Sequence, residues 1–125
     1  MALYRNMWRD LKVTCPFLVD VIGKATIGSS GAVASQVGRG ATIAKVTGAG
    51  KYTLTLDTKG GVADILFADF QLAHATNVYT VSITDISNTT GVITFTVAAG
   101  GTAADPASGV RLGYRVVVQN ARYTG

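Results

Sequence analysis

The stretch of this 125-residue chain best suited to chemistry is "VTGAGKYTLTL" at 46–56, where Gly48 and Gly50 precede Lys51 and Thr53. A glycine loop cradles phosphate when its backbone N–H groups converge on one oxygen cluster. The recurring form runs strand, loop, helix, and closes with a Lys and a Ser/Thr. Here the glycines are too few and wrongly spaced, and the residues after them alternate like a strand. Tyr52, Leu54 and Leu56 fall on one face, while Lys51, Thr53, Thr55 and Asp57 fall on the other. "TGAG" is therefore expected to be a hairpin turn between "ATIAKV" at 41–46 and "KYTLTLD" at 51–57.

The densest polar grouping is Asp64, Asp69 and His74. General acid–base catalysis leans on His, Glu or paired carboxylates, and a metal site needs three or four converging ligands. Asp69 and His74 are five apart in the most apolar segment of the chain, so they are read as solvated carboxylates and a satisfied or surface His. "GSSG" at 28–31 lacks the spacing and the following helix of a nucleophile elbow. Cys15 is the only cysteine, which excludes an internal disulfide and a multi-cysteine zinc site. It reads as a small buried hydrophobe. No catalytic, cofactor-binding or metal-binding residue is assigned, no cofactor is implied, and the chain is expected not to be an enzyme.

The elements that must carry these residues are strands. Hydrophobic residues make up 48% of the chain and charged ones 14%; its seven acids are all Asp, and Gly, Thr, Val and Ala abound. That mix suits strands and turns and is poor in helix formers. "VTCPFLVDVI" at 13–22 is the first strand candidate, with Pro16 marking an edge or an extended lead-in. Two short strands are expected around "GSSG" within 23–38. "VADILFADFQLAHA" at 62–75 has an ambiguous period and is read as a strand. "VYTVSITDI" at 78–86 and "VITFTVAAG" at 92–100 alternate and form a hairpin through "SNTTG". "GGTAADPASG" at 100–109 is a loop, and "VRLGYRVVVQNA" at 110–121 places Val110, Leu112, Tyr114, Val116 and Val118 on one face. Short strands at intervals of roughly 8–12 residues predict an all-β fold, an antiparallel β-sandwich or jelly roll of about eight strands.

Residues 1–12 differ from this body. Tyr4, Arg5, Trp8, Arg9 and Lys12 make an amphipathic, basic and aromatic arm, and the organisation expected is an N-terminal arm at 1–12 and a single β-sandwich domain at 13–125. Large aromatics at a chain end have little local core to enter, so these five are the candidate partner-binding residues. The threonine faces (Thr53, Thr55, Thr80, Thr84, Thr94, Thr96) read as the wet side of a sheet. Net charge is +4, but the eleven Lys and Arg cluster only at Arg5, Arg9 and Lys12, with no nucleic-acid motif. The apolar run at 15–23 is broken by Asp20 and falls short of the roughly 20 residues a membrane span needs. The N-terminus has no signal-peptide pattern. Neither nucleic acid nor membrane is expected as a partner, and folding in a cytosol is expected.

The pattern "GATIAKVTGAGKYTLTLD" at 40–57, "VYTVSITDISNTTGVITFTV" at 78–97 and "AADPASGVRLGYRVVVQN" at 103–120 resembles small structural proteins of tailed phages. It is most similar to the head decoration or cement proteins with jelly-roll or β-sandwich folds. The resemblance covers most of the body and is one of strand and turn order, without a short motif that maps to individual contacts. It implies a virion component, assembled in host cytoplasm, that binds the outer surface of the phage major capsid protein and bridges its subunits, as a homo-dimer or homo-trimer. A phage tail or fibre protein is the alternative of the same class. A small carbohydrate-binding sandwich is the alternative of another class, and would need an exposed aromatic such as Tyr79, Tyr114 or Tyr123 beside polar loop groups.

Overall fold

A computed structural model describes residues 18–57 and 62–120. They form an all-β antiparallel sandwich of nine strands: β1 (Leu18–Ile27), β2 (Val33–Gly38), β3 (Ala41–Lys45), β4 (Lys51–Leu56), β5 (Val62–Ala73), β6 (Thr80–Ser87), β7 (Val92–Ala99), β8 (Thr102–Ala103) and β9 (Arg111–Asn120). One sheet has the order β2-β1-β9-β5; the other has β3-β4-β7-β6, with β8 pairing the end of β7. Successive strands stay together as the hairpins β1–β2, β3–β4 and β6–β7, so of the two expected forms the fold is the sandwich.

Alternation along the strands builds the core. Tyr52, Leu54 and Leu56 of β4, Ile93, Phe95 and Val97 of β7, and Leu112, Tyr114, Val116 and Val118 of β9 all point inward and are buried. The apolar faces of the two sheets cover each other. Phe70 of β5 stacks on Phe95 of β7 at 4.0 Å between ring centroids, tying sheet to sheet, and Tyr52 stacks beside Phe95 at 5.7 Å. Such pairs add about 0.5–1.5 kcal/mol beyond the area they bury. Among the described residues the only buried side chains with a polar group are Tyr52 and Tyr114, whose hydroxyls are both hydrogen-bonded. The outer face of β4 and β7 carries Thr53, Thr55, Thr94 and Thr96, exposed or half-buried.

Two boundaries differ from the sequence reading. β1 runs on to Ile27, through Gly23, where a separate short strand was expected to begin. Gly23 pairs with Tyr114 of β9, and a Cβ there would collide with the Tyr114 hydroxyl, so this glycine serves a close approach and not a turn. The "GSSG" segment is a single 3-10 turn (Ser29–Gly31) joining β1 to β2. β5 is one long strand whose ladder with β9 shifts between Val62 and Asp64 and between Ile65 and Phe67. The second bulge leaves Leu66 without a partner and breaks the alternation of the Ile-Leu-Phe run, hence its ambiguous period. β8, two residues long, falls in the segment expected to be a loop.

Candidate functional site

The "TGAG" turn joins β3 to β4, as its glycines and the alternation after it predict. Its polar groups are already engaged. Lys45, the last residue of β3, folds its ammonium back over the turn and donates to the carbonyls of Val46 (2.9 Å) and Gly48. The same Nζ lies 3.2 Å from Oδ1 of Asp105, which also accepts the Gly50 N–H at 2.8 Å. Carbonyls therefore face a resident cation, and a carboxylate holds the amide that a phosphate would use. The Gly50 N–H bond, then Lys45, keep the Asp105 carboxyl below the ordinary carboxylate range. Behind this cluster Tyr52 is fully buried and its hydroxyl donates to the Gly31 carbonyl. Burial, and secondarily the charge of Asp105, push its pKa up to about 12. Gly50 itself has φ +68°, and a Cβ there would collide with the Val97 carbonyl, so the position accepts glycine alone. The cluster locks the turn to the β8–β9 connection.

Asp64, Asp69 and His74 do not converge. Asp64 accepts a hydrogen bond from Asn88 Nδ2 at 3.1 Å, and Asp69 pairs in register with Arg115 on the outer face, where Gln71 Nε2 lies 3.4 Å away. His74 Nδ1 accepts the backbone N–H of Asn77 at 3.2 Å and closes its own turn. Among the described residues no group of three or more His, Cys, Asp or Glu could hold a metal ion. No helix among them is long and apolar enough to cross a membrane.

The aromatics considered for sugar stacking depart from that expectation. Tyr114 is buried beneath Gly23, with its hydroxyl 3.2 Å from Gln36 Nε2, because its strand face is the core face. Tyr79 is half-buried and its hydroxyl accepts from Asn77 and from the Ala107 N–H. Tyr123 lies outside the described residues, as do Cys15, Pro16 and the five arm residues Tyr4, Arg5, Trp8, Arg9 and Lys12. The depression over Gly113 on the outer face, lined by Ile22, Asp69, Gln71 and Arg115, is shallow.

What distinguishes the surface is how its sheet edges are treated. A free strand edge invites pairing with another chain unless it is covered. At one corner Gln36 of β2 reaches β3, its Nε2 donating to the Ala41 carbonyl (2.7 Å) and its Oε1 accepting the Ile43 N–H (3.0 Å). A side-chain amide there imitates a neighbouring strand. At the diagonal corner Asn88, in the β6–β7 turn, accepts the Ile65 N–H of β5 at 3.0 Å while holding Asp64. These two amides stitch sheet to sheet, and neither stands out in the sequence, where each is one polar residue among many. β6 is treated otherwise. Ile83 and Ile86 pair with Phe95 and Ile93, so they face inward, yet they are 39% and 43% exposed. On β5 the bulge turns Phe67, which pairs with Val117, onto the outer face of its sheet, and Leu66 and Phe67 are 49% and 51% exposed.

In comparisons with known proteins, no family model matches the chain, and no curated protein and no solved structure shows significant similarity to it.

Proposed function

We propose that this protein is a viral structural part: a decoration or cement protein on the outer surface of a phage capsid, bridging major capsid subunits and stabilising the shell. The observation that carries this reading is the use of polar groups. The clusters at Asp105, Gln36 and Asn88 each fasten a turn or a sheet corner, while apolar surface stays open along β6. A fastened sandwich with apolar surface open along β6 suits adhesion to a protein surface. Packaged DNA pushes outward on a shell, and small domains laid across subunit boundaries add contacts against that pressure. The strand and turn pattern resembling phage decoration proteins supports the same reading, with a homo-dimer or homo-trimer as the assembled form and the arm of residues 1–12 reaching a neighbour. Deleting residues 1–12 should leave a folded body that no longer occupies expanded capsids. Unchanged occupancy of capsids by the shortened protein would refute the role of the arm.

A further inference from the structure

The two outer faces of the sandwich differ in kind. Outside β4 and β7 the surface is largely threonine, and no large hydrophobic side chain stands exposed on it. The face outside β2, β1, β9 and β5 is apolar and charged. The register puts Ile22, Val37 and Phe67 on it, in the rows of Arg115, Lys24 and Val117, and they are 59%, 61% and 51% exposed. Among them, at Gly113, the surface is hollow: a Cβ built there meets nothing within 4 Å. Large apolar side chains grouped on one face, when the opposite face does without them, mark a surface that another protein covers.

Charge on this face is polarised along the strands. Lys24 and Arg111 stand towards one end and have no ion-pair partner among the described residues, while Asp20 and Asp64 stand towards the other. Ile22, Arg115 and Asp69 share the row between, and Arg115 reaches back to Asp20 at 3.3 Å. Two copies meeting face to face can be related by a two-fold axis along the strands or across them. An axis along the strands sets basic end on basic end and acidic end on acidic end. An axis across them, at the Ile22–Arg115–Asp69 row, sets each end on its opposite. Lys24 of one copy then lies over Asp20 of the other, and Val117 of one lies over the hollow at Gly113 of the other. Ile22 meets its own copy on the axis, where one Arg115 and one Asp69 from each copy cancel in charge. A face complementary to itself in this way meets the requirement of a two-fold interface.

We propose that the outer face of β2, β1, β9 and β5 is a homodimer interface, closed by a second copy across a two-fold axis perpendicular to the strands. Four strands about 4.8 Å apart and about 30 Å long present roughly 570 Å² each, or about 1,100 Å² for two copies. That area falls at the lower edge of specific interfaces, so the dimer exchanges with monomer on dilution. The pairing belongs to the chain alone in solution and does not rest on the capsid reading.

Sedimentation velocity of the full chain, without capsids and over a range of concentrations, should show a monomer–dimer equilibrium. Lys24→Asp and Asp20→Lys should each weaken it by about tenfold, because like charges then face each other across the axis. The double variant should recover most of the affinity. Positions 20 and 24 lie about 13 Å apart on one strand, so that recovery has no source within a single body. Gly113→Thr fills the hollow with a strand-favouring residue that has room in its own body. It should weaken association while leaving the denaturation midpoint no lower. Thr55→Lys, exposed on the threonine face, should leave the equilibrium unchanged. Circular dichroism verifies that each variant keeps its strands. The proposal is overturned by a chain that stays monomeric at its highest soluble concentration, by a trimer, by folded face variants that dimerise like wild type, or by a double variant no tighter than the singles. Capsid occupancy enters none of these results, so the two readings fail separately.

Discussion

Replacing Tyr52 by Phe tests whether the buried hydroxyl holds the 3-10 turn to the sandwich. The substitution keeps the ring stacked beside Phe95 and removes only the donor to the Gly31 carbonyl. Leaving a buried acceptor without its partner costs about 1–3 kcal/mol. For a domain of this size each kcal/mol moves the thermal midpoint by roughly 3–6 °C. The same hydroxyl also predicts an alkaline effect of opposite sense. Its pKa is about 12 in the folded protein, against about 10 for an unfolded tyrosine. A raised folded value means that the stabilisation is complete below pH ~10 and is lost as pH climbs towards ~12; the two-unit gap corresponds to about 2.7 kcal/mol. Phe has no such group, so the deficit of Tyr52→Phe at neutral pH should shrink steadily above pH ~10, the remaining tyrosines titrating alike in both proteins. Urea denaturation followed by circular dichroism at a series of pH values measures both branches. A variant as stable as wild type at neutral pH, or a deficit that stays constant to about pH 11.5, would refute the assignment.

The same geometry sets three further outcomes. Gln36→Leu removes both hydrogen bonds to the β3 edge and should cost about 1–3 kcal/mol, with hydrogen exchange at the Ile43 amide rising the most. Gly50→Ala should destabilise by about 2 kcal/mol or more in chemical denaturation, since it combines a left-handed backbone with the collision at Val97. Gly109→Ala, also at positive φ but in open space, should cost less. The Asp105 carboxyl is held down by Gly50 N–H and Lys45, so its contribution is present above pH ~4 and is lost as pH falls through its lowered folded value. Asp105→Asn should remove that acid-side slope while costing no more than about 1 kcal/mol at pH 7, as measured by thermal melts across the acid range.

The strands β4, β7 and β9 are legible because each buries one face only, so period two is written into Tyr52-Leu54-Leu56, Ile93-Phe95-Val97 and Leu112-Tyr114-Val116 without interruption. β5 is harder to read, since its bulge sets Leu66 and Phe67 out of phase with Ile65. Gly23 misleads the reading of β1: a glycine required by the ring packed against it looks in sequence like the boundary between two strands. The turn function of "TGAG" can be read locally, but what fills it cannot, because Lys45 and Asp105 meet only through the fold. Gln36 and Asn88 stay hidden for the same reason, each bonding a strand of the opposite sheet. Alternation places Tyr114 on the inward face of its strand, and that placement outweighs its candidacy as an exposed sugar platform.

The position of β1 has a mechanical meaning. Any pull on the residues ahead of Leu18 enters the body along the axis of a strand that is hydrogen-bonded to β9 from Leu18 to Thr26 and, from Gly23 onward, to β2 as well. The β1–β9 ladder runs through nine consecutive residue pairs with no bulge. Loaded lengthwise, those bonds share the force like the rivets of a lap joint and must yield together, whereas a strand lifted sideways from an edge peels one bond at a time. The β1–β9 ladder therefore resists a lengthwise pull at Leu18 better than a sideways one.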